Sequence, residues 1–308
     1  MVASPNPDAT SITIFGATGI QGGSVLRHLL QSDKPYRIRA VTRDPTKDAA
    51  KKLSELGVEV VKAELGDESE VKKAVEGQDL VFAVTNFWEH GRSKELADGK
   101  RLMDAVKSAG TKKVYWSGLM PVHKLSGGKY TKVEHFDTKA EILAYAKAQN
   151  VPIVDVQPAC YMENFTGMML PRKQEDGSFV FALPVDPASK MSLIDCGSDY
   201  GAYVRGAIES GLEDGSEVLA CRQEITMPEF AEVWGQVNGV KATYYLMPAD
   251  QFKAVAGEEI TEMMGWFSDF GYYGGKEIES SQKLLPDGVK VNTWKTFVEA
   301  QDWSKVLA

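Results

Sequence analysis

The chain has 308 residues, of which 43% are hydrophobic and 25% charged, with a formal net charge of -8 at pH 7. Such a composition is typical of a globular protein built from one large domain or two closely associated ones. The acidic balance argues against nucleic-acid binding, because contacts to phosphate backbones need clustered Lys and Arg.

Strand-like and helical segments alternate through the first half of the chain. The predicted strands cover residues 11–15, 36–43, 58–65, 79–85, 112–118 and 151–159. The predicted helices between them cover residues 19–31, 46–56, 67–77, 93–109 and 132–149. This alternation is typical of βαβ units, so the fold class is predicted to be α/β, with a six-stranded, doubly wound parallel sheet of the Rossmann type.

After Pro158 the alternation ends. The segment "GSFVFALPV" predicts a hairpin or a short strand, and helices are expected near residues 195–211, 227–238 and 248–257. We therefore expect a dinucleotide-binding domain over residues 1–157 and a smaller α+β part over residues 158–308, interleaved with the first, that forms a cleft for a substrate or partner. The aromatic segment 263–275 is expected to lie in the core.

The spacing of the cysteines and histidines and the length of the apolar runs argue against several further classes of protein. The three cysteines and four histidines lack the spacing of zinc ligands or of a disulfide framework, so no metal site is expected. No apolar run reaches the ~18 residues that would span a bilayer, and "MVASPNPDAT" lacks the pattern of a signal peptide. The expected location is therefore the cytosol or the nucleus, with no membrane partner.

Three glycines follow the first predicted strand in the spacing G-x-x-G-x-x-G. Gly16, Gly19 and Gly22 would provide a tight turn, a close approach to pyrophosphate and a close helix-to-strand contact, in that order. The helix that begins there would direct its N-terminal N–H groups at the phosphates, with Thr18 and Gln21 lining the turn. The sequence therefore predicts a dinucleotide site.

The end of the second predicted strand indicates which dinucleotide binds. In "AVTRDP", Arg43 stands where a guanidinium could pair with the 2′-phosphate of NADP. Asp44 is the competing candidate, because an acid at this place accepts hydrogen bonds from the ribose of NAD. The interpretation favoured here is NADP(H).

Six segments in order along the chain resemble the NmrA-like family, atypical members of the short-chain dehydrogenase/reductase superfamily. They are "GATGIQGGSV", "VTRDP", "VTNFWEH", "YWSGL", "HFDTKAEI" and "QPACYMENF". Within the family, the resemblance is strongest to a branch that includes an NADPH sensor. It implies a Rossmann domain that holds NADP(H) and a smaller C-terminal part that completes a cleft.

The resemblance also implies a set of cofactor contacts. At the glycine turn these are Gly16, Thr18, Gly19, Ile20, Gln21 and Gly22, and near the adenosine phosphate they are Arg43 and Lys62. Thr85 and Asn86 would lie beside the nicotinamide half, and Lys139, Tyr161 and Asn164 would border the nicotinamide. Trp88, Glu89 and His90 are expected either to wall the cleft or to pack as an ordinary loop.

The residues themselves do not decide whether the protein is a catalyst. Reductases of the superfamily use Tyr-x-x-x-Lys, and "HFDTK" places His135 at the tyrosine position while Lys139 is retained. An imidazole could donate a proton to a reduced substrate, or His135 could be purely structural. Tyr161 is a second candidate proton donor, with a core aromatic role as the alternative.

Two functional hypotheses follow from these residues and the resemblance. The first is an NADP(H)-binding, redox-sensing regulator that acts on a protein partner. The second is an NADPH-dependent oxidoreductase for a small electrophilic substrate such as a quinone, an imine or an activated alkene. Only the second needs a proton donor within hydrogen-bond reach of a substrate.

Overall fold

The computed structural model of the chain describes residues 2–308. Its strands are β1 (Thr10–Ile14), β2 (Tyr36–Thr42), β3 (Glu59–Lys62), β4 (Leu80–Ala83), β5 (Lys113–Trp116), β6 (Ile153–Pro158), β7 (Cys160–Tyr161), β8 (Arg172–Lys173), β9 (Phe179–Leu183), β10 (Lys190–Ile194), β11 (Glu217–Ala220), β12 (Gln223–Thr226) and β13 (Ala242–Leu246). Its helices are α1 (Ile20–Leu30), α2 (Asp48–Glu55), α3 (Glu68–Val75), α4 (Phe87–Ser108), α5 (Val122–Leu125), α6 (Glu134–Ala148), α7 (Cys196–Glu209), α8 (Met227–Asn238), α9 (Ala249–Phe270), α10 (Glu279–Gln282), α11 (Trp294–Ala300) and α12 (Ser304–Leu307), and a 3₁₀ turn covers Met162–Thr166.

Seven parallel strands form the central sheet in the order β11-β6-β5-β4-β1-β2-β3. The strand order reverses between β1 and β4, which makes this the topological switch point, where α/β sheets bind ligands at the carboxyl ends of the strands. The predicted Rossmann-type fold is confirmed. The seventh strand, β11, was not predicted as part of the sheet, because it lies after Pro158, where the regular alternation of strand-like and helical segments ends.

Two apolar cores lie on opposite faces of the sheet. Consecutive residues along the chain enter different cores. Ile14 and Phe82 lie on the face with α1 and α7, whereas their neighbours Phe15 and Val81 lie on the face with α3, α4 and α6. This alternation is what the pleat of a sheet covered on both faces requires. The sheet therefore has helices on both sides, as expected for a doubly wound fold.

Helices α1 and α7 cross at very short range. A Cβ atom on Gly201 would come within 2.2 Å of the carbonyl oxygen of Ser24, so only glycine fits at the crossing. The Gly201 amide donates a hydrogen bond to the Ser24 hydroxyl at 2.9 Å, and His28 Nε2 lies 2.8 Å from the Ser198 carbonyl oxygen. The second half of the chain thus contributes both α7 and β11 to the layers around the central sheet, and the two predicted parts share that sheet.

Two small sheets and the C-terminal helices complete the molecule. The small sheets have the orders β12-β10-β7 and β13-β9-β8. The aromatic segment 263–275 contributes Met264, Trp266 and Tyr273 to the core, which confirms the predicted core role of that segment. Within residues 2–308 no helix is long and apolar enough to cross a membrane.

Two long helices are interrupted by glycines in the left-handed region. Gly91, with φ 71°, separates the first turn of α4 from the rest, and Gly257, with φ 80°, separates residues 249–256 of α9 from the rest of that helix. The predicted start of a helix at residue 93 therefore missed one turn, Phe87–His90. That turn lies at the carboxyl end of β4, beside the switch point.

Candidate functional site

The glycine turn joins β1 to α1 at the switch point. Gly16 has φ 64°, a conformation that favours glycine, and a Cβ atom on Gly22 would come within 2.2 Å of the Gly16 carbonyl oxygen. The first-turn amides of Ile20 and Gln21 donate to no acceptor within the described part of the chain. Free N–H groups and the positive end of the helix dipole together form an anion-binding cradle.

The cations predicted to bind the adenosine phosphate lie at the ends of β2 and β3. Lys62 is paired in register with Thr42, the residue before Arg43, so both cations stand at the same edge of the sheet. Arg43 is exposed and its guanidinium contacts the Glu89 carboxylate. Lys62 forms an ion pair with Glu70 at 2.9 Å, and this pair raises the pKa of Lys62.

Asp44, the competing candidate for a ribose contact, is engaged locally. Its Oδ1 accepts hydrogen bonds from the Thr46 amide at 2.9 Å and the Thr46 hydroxyl at 2.6 Å. These bonds lower the pKa of the Asp44 carboxyl. One oxygen of Asp44 is therefore occupied by hydrogen bonds within the turn before α2, while the Arg43 side chain points toward Glu89 of α4.

Lys139 lies in a buried polar cluster at the carboxyl end of β4. Its ammonium donates to the Thr85 carbonyl at 2.9 Å, the Thr85 hydroxyl at 3.0 Å and Glu95 Oε1 at 2.7 Å. Thr85 in turn donates to the same oxygen of Glu95 at 2.6 Å, and Glu95 Oε2 is buried without a partner. Burial lowers the pKa of Lys139, and the Glu95 carboxylate opposes that shift.

His135 lies one turn before Lys139 on α6 and is also buried. Glu259 Oε1 accepts from the His135 amide at 2.9 Å and lies 2.6 Å from His135 Nδ1. The Trp88 ring packs on the imidazole with centroids 4.8 Å apart, and Phe87 lies at 5.9 Å. Nε2 makes no hydrogen bond to any described residue. Glu259 therefore holds one ring nitrogen, Nδ1, and the other nitrogen is free.

Of the remaining predicted site residues, Gln21 and Tyr161 meet between the start of α1 and β7. Gln21 Nε2 donates to the Tyr161 hydroxyl, and Gln21 Oε1 is buried without a partner. Burial raises the pKa of Tyr161 well above its usual value. Asn164 Nδ2 lies 3.9 Å from the Cys160 sulfur, while Asn86, at the start of α4, donates to Glu89 at 3.3 Å.

Comparison with known proteins places the chain in a family. A model of the NmrA-like family matches residues 8–299. The chain belongs to the NmrA-like family. Among curated relatives, the NmrA-like family domain-containing oxidoreductase ptmS of Penicillium ochrochloron is 28% identical, covering 94% of this chain and 92% of the relative. The corresponding oxidoreductase malD of Malbranchea aurantiaca is 30% identical, covering 93% of this chain and 88% of the relative.

Solved structures share the fold of this NmrA-like protein. NmrA, a negative transcriptional regulator, in complex with NADP superposes with a TM-score of 0.78 at 20% identity, covering 95% of each chain. The NADPH-dependent quinone oxidoreductase QOR2 of Escherichia coli, in complex with NADPH, gives 0.73 at 22% identity, covering 93% of this chain and 98% of that one. At these identities the likeness concerns the fold.

Four acidic residues of the NmrA-like site escaped the sequence analysis as partners of the predicted residues. They are Glu89 on Arg43, Glu70 on Lys62, Glu95 on Lys139 and Glu259 on His135. Glu95 and Lys139 could have been suspected only from the tertiary fold, because 44 residues separate them. Each predicted cation or imidazole of the site thus has its own carboxylate.

A separate cavity of about 620 Å³ lies beside α6, and none of the predicted site residues lines it. Asp155 and Gln157 of β6 are among its lining residues. Gln157 Nε2 donates to Asp155 Oδ2 at 2.6 Å, and burial raises the pKa of Asp155 to about 7. This cavity is distinct from the glycine turn and from the surroundings of His135.

Proposed function

We propose that this NmrA-like protein is an NADPH-dependent oxidoreductase in which His135 donates a proton to a small electrophilic substrate. The observation that carries the proposal is the buried His135–Glu259 pair, with Nδ1 held and Nε2 free, one helical turn from Lys139. A carboxylate that holds one ring nitrogen fixes both the tautomer and the ring orientation of a reactive histidine.

The glycine turn fits a dinucleotide pyrophosphate. Gly16 has the positive φ that the tight turn requires, Gly22 lets the helix approach the Gly16 carbonyl, and the amides at the start of α1 are free to donate to phosphate oxygens. Thr18, Gly19, Ile20 and Gln21 would line the same phosphates. A bound nicotinamide cofactor would supply a hydride, and every proton would come from the protein or from water.

Arg43 favours NADP(H) over NAD(H). Its guanidinium is exposed and can form a bidentate pair with a 2′-phosphate, with Lys62 nearby at the end of β3. Asp44, whose Oδ1 is bonded to Thr46, is the weaker candidate for a ribose contact. The complexes of NmrA with NADP and of QOR2 with NADPH add support by similarity of fold.

On the nicotinamide side, His135 is a better proton donor than Tyr161. Burial raises the pKa of Tyr161 well above its usual value and makes its hydroxyl a weak acid, and the hydrogen bond from Gln21 opposes that shift only in part. An imidazolium form of His135 would give its Nε2 proton to the reduced substrate and retain its Nδ1 proton, which is hydrogen-bonded to Glu259. Lys139, Thr85, Asn86 and Asn164 would then bind and orient the nicotinamide half.

The aromatic surroundings of His135 suit a flat, conjugated substrate. Trp88 is 63% exposed and lies directly against the imidazole. An exposed indole can stack on a quinone or on a conjugated imine or enal. In its name, QOR2 is a quinone oxidoreductase, and the curated relatives ptmS and malD are named as oxidoreductases.

A redox-sensing regulator is the second candidate function. It is favoured by the histidine at the position of the superfamily tyrosine and by the fold shared with NmrA, named as a negative transcriptional regulator. In this case cofactor binding would alter the affinity for a protein partner in the cytosol or the nucleus, with no turnover of a small molecule. The free Nε2 of His135 is the feature that this alternative leaves unused.

Calorimetric titration with NADP⁺, NADPH, NAD⁺ and NADH, followed by NADPH oxidation against quinones, imines and enals, tests the proposal. We expect NADP(H) to bind more tightly than NAD(H), and Arg43→Glu to remove that preference. His135→Gln should lower kcat by at least about tenfold with little change in cofactor affinity. Tight NADP(H) binding without turnover of any compound would refute the enzyme and leave the regulator.

A further inference from the structure

The first turn of α4, residues Phe87–His90, touches both ends of the proposed cofactor site and is called the cover turn here. The Glu89 carboxylate contacts the Arg43 guanidinium at the adenosine end. The Trp88 ring lies on His135 at the nicotinamide end, with centroids 4.8 Å apart. Because Trp88 and Glu89 are consecutive, displacement of one contact also disturbs the other.

The cover turn is attached at both ends by non-helical backbone. Asn86 is extended before it, and Gly91 after it has φ 71° and ψ 177°. A Cβ atom added to Gly91 would meet nothing within 4 Å, so the junction lies in open space. Phe87 is buried and anchors the turn, while Trp88 and Glu89 project from the surface. A change at this junction can therefore reorient the turn while the rest of α4 stays in place.

A 2′-phosphate and Glu89 would compete for the same guanidinium. Glu89 is the one described residue that pairs with Arg43, and the Arg43 side chain is 67% exposed. Exposed pairs of this kind contribute little to stability, whereas a phosphate dianion offers a stronger bidentate partner. Once the phosphate is bound, the Glu89 carboxylate would face a like charge at short range.

We propose that Glu89 couples occupation of the 2′-phosphate position to uncovering of His135 by Trp88. The inference rests on the proposed function and adds to it a control of access to the proton donor. Without the phosphate, Glu89 holds Arg43 and Trp88 covers His135. With the phosphate bound, Glu89 is released, the cover turn reorients about Gly91, and His135 becomes accessible to substrate.

This coupling gives a selectivity that affinity alone does not. NAD(H) occupying the glycine turn would leave the Arg43–Glu89 pair intact, so His135 would stay covered. Only a cofactor that carries the extra phosphate would open the pocket, and substrate would bind after the cofactor. Glu89 is in this sense a specificity-determining residue rather than a catalytic one.

Chemical labelling of His135 tests the proposal. The protein is treated with diethyl pyrocarbonate, which modifies accessible imidazoles, and the modification rate at each histidine is followed by mass spectrometry. The probes are 2′,5′-ADP, which carries the 2′-phosphate, and 5′-ADP, which lacks it, and calorimetry measures the affinity of each. His123 is exposed, lies outside the cover turn and serves as the internal standard.

We expect 2′,5′-ADP to raise the labelling rate of His135 by up to about fivefold, the factor that corresponds to breaking an exposed ion pair, and 5′-ADP to leave it unchanged. Glu89→Gln should show the raised rate without any ligand and bind 2′,5′-ADP about two- to fivefold more tightly. Glu68→Gln, which breaks the exposed pair with Lys72 on α3, should change neither quantity.

The outcomes separate this inference from the proposed function. Binding of 2′,5′-ADP with an unchanged labelling rate at His135 would overturn the coupling while leaving the cofactor assignment intact. Failure of 2′,5′-ADP to bind would overturn both. An equal increase with 5′-ADP would show that the phosphate at the 2′ position does not control the cover turn, and would also refute the coupling.

Discussion

Replacing Lys139 by Met should lower the free energy of unfolding by about 3–5 kcal/mol, the usual cost of leaving one member of a buried ion pair without its partner. The Glu95 side chain is fully buried, and the Lys139 ammonium lies 2.7 Å from its Oε1. Without the ammonium, the Thr85 hydroxyl is the only donor to the Glu95 carboxylate that remains among residues 2–308. A carboxylate at this depth would be poorly compensated.

The double variant Lys139→Met/Glu95→Met should recover most of that loss. Removing both charges leaves two apolar side chains of similar length in a buried space, and such replacements of buried pairs are often close to neutral. Thr85 would lose its partners, so we expect a residual cost of about 1–2 kcal/mol.

Urea-induced unfolding, followed by circular dichroism, would measure both variants against the wild-type protein under the same conditions. The midpoint and the slope of each transition together give the free energy of unfolding. A double variant as unstable as Lys139→Met, or a single variant that loses less than about 1 kcal/mol, would show that Glu95 does not carry a buried charge compensated by Lys139.

Two further predictions concern the glycine turn and β6. Gly22→Ala should weaken cofactor binding by at least about tenfold, since its Cβ would overlap the Gly16 carbonyl. The control variant Gly23→Ala should bind the cofactor normally, because its Cβ would lie 3.4 Å from the nearest atom. Calorimetry measures both affinities, and equal values would contradict the role of the turn. Burial raises the pKa of Asp155 to about 7, so the folded protein keeps this carboxyl neutral below about pH 7 while the unfolded chain ionises it above about pH 4, and the stability of the fold falls between these pH values. Between about pH 5 and about pH 8 this loss is about 3 kcal/mol, and Asp155→Asn should remove it. Urea unfolding at the two pH values measures the difference, and an unchanged pH dependence in the variant would contradict the assignment.

Much of the fold follows from local sequence pattern. The alternation of β-branched runs with amphipathic runs predicted the first six strands of the sheet and the helices between them, within a few residues. The glycine turn was equally predictable, because a positive φ at Gly16 and the contact between Gly22 and the Gly16 carbonyl are local requirements that only glycine meets. The start of α4 was misplaced because Gly91 interrupts its helical backbone, although the turn before it is helical.

The sequence by itself therefore determined the fold class, the family resemblance and the position of the glycine turn, since each depends on residues close together in the chain. The tertiary structure decided the partners of the proposed site residues. Glu95 lies 44 positions from Lys139, Glu89 lies 46 from Arg43, and Glu259 lies 124 from His135. Those pairs depend on how helices cross over the sheet and where glycines bend them, and no local period in the sequence records such distant contacts.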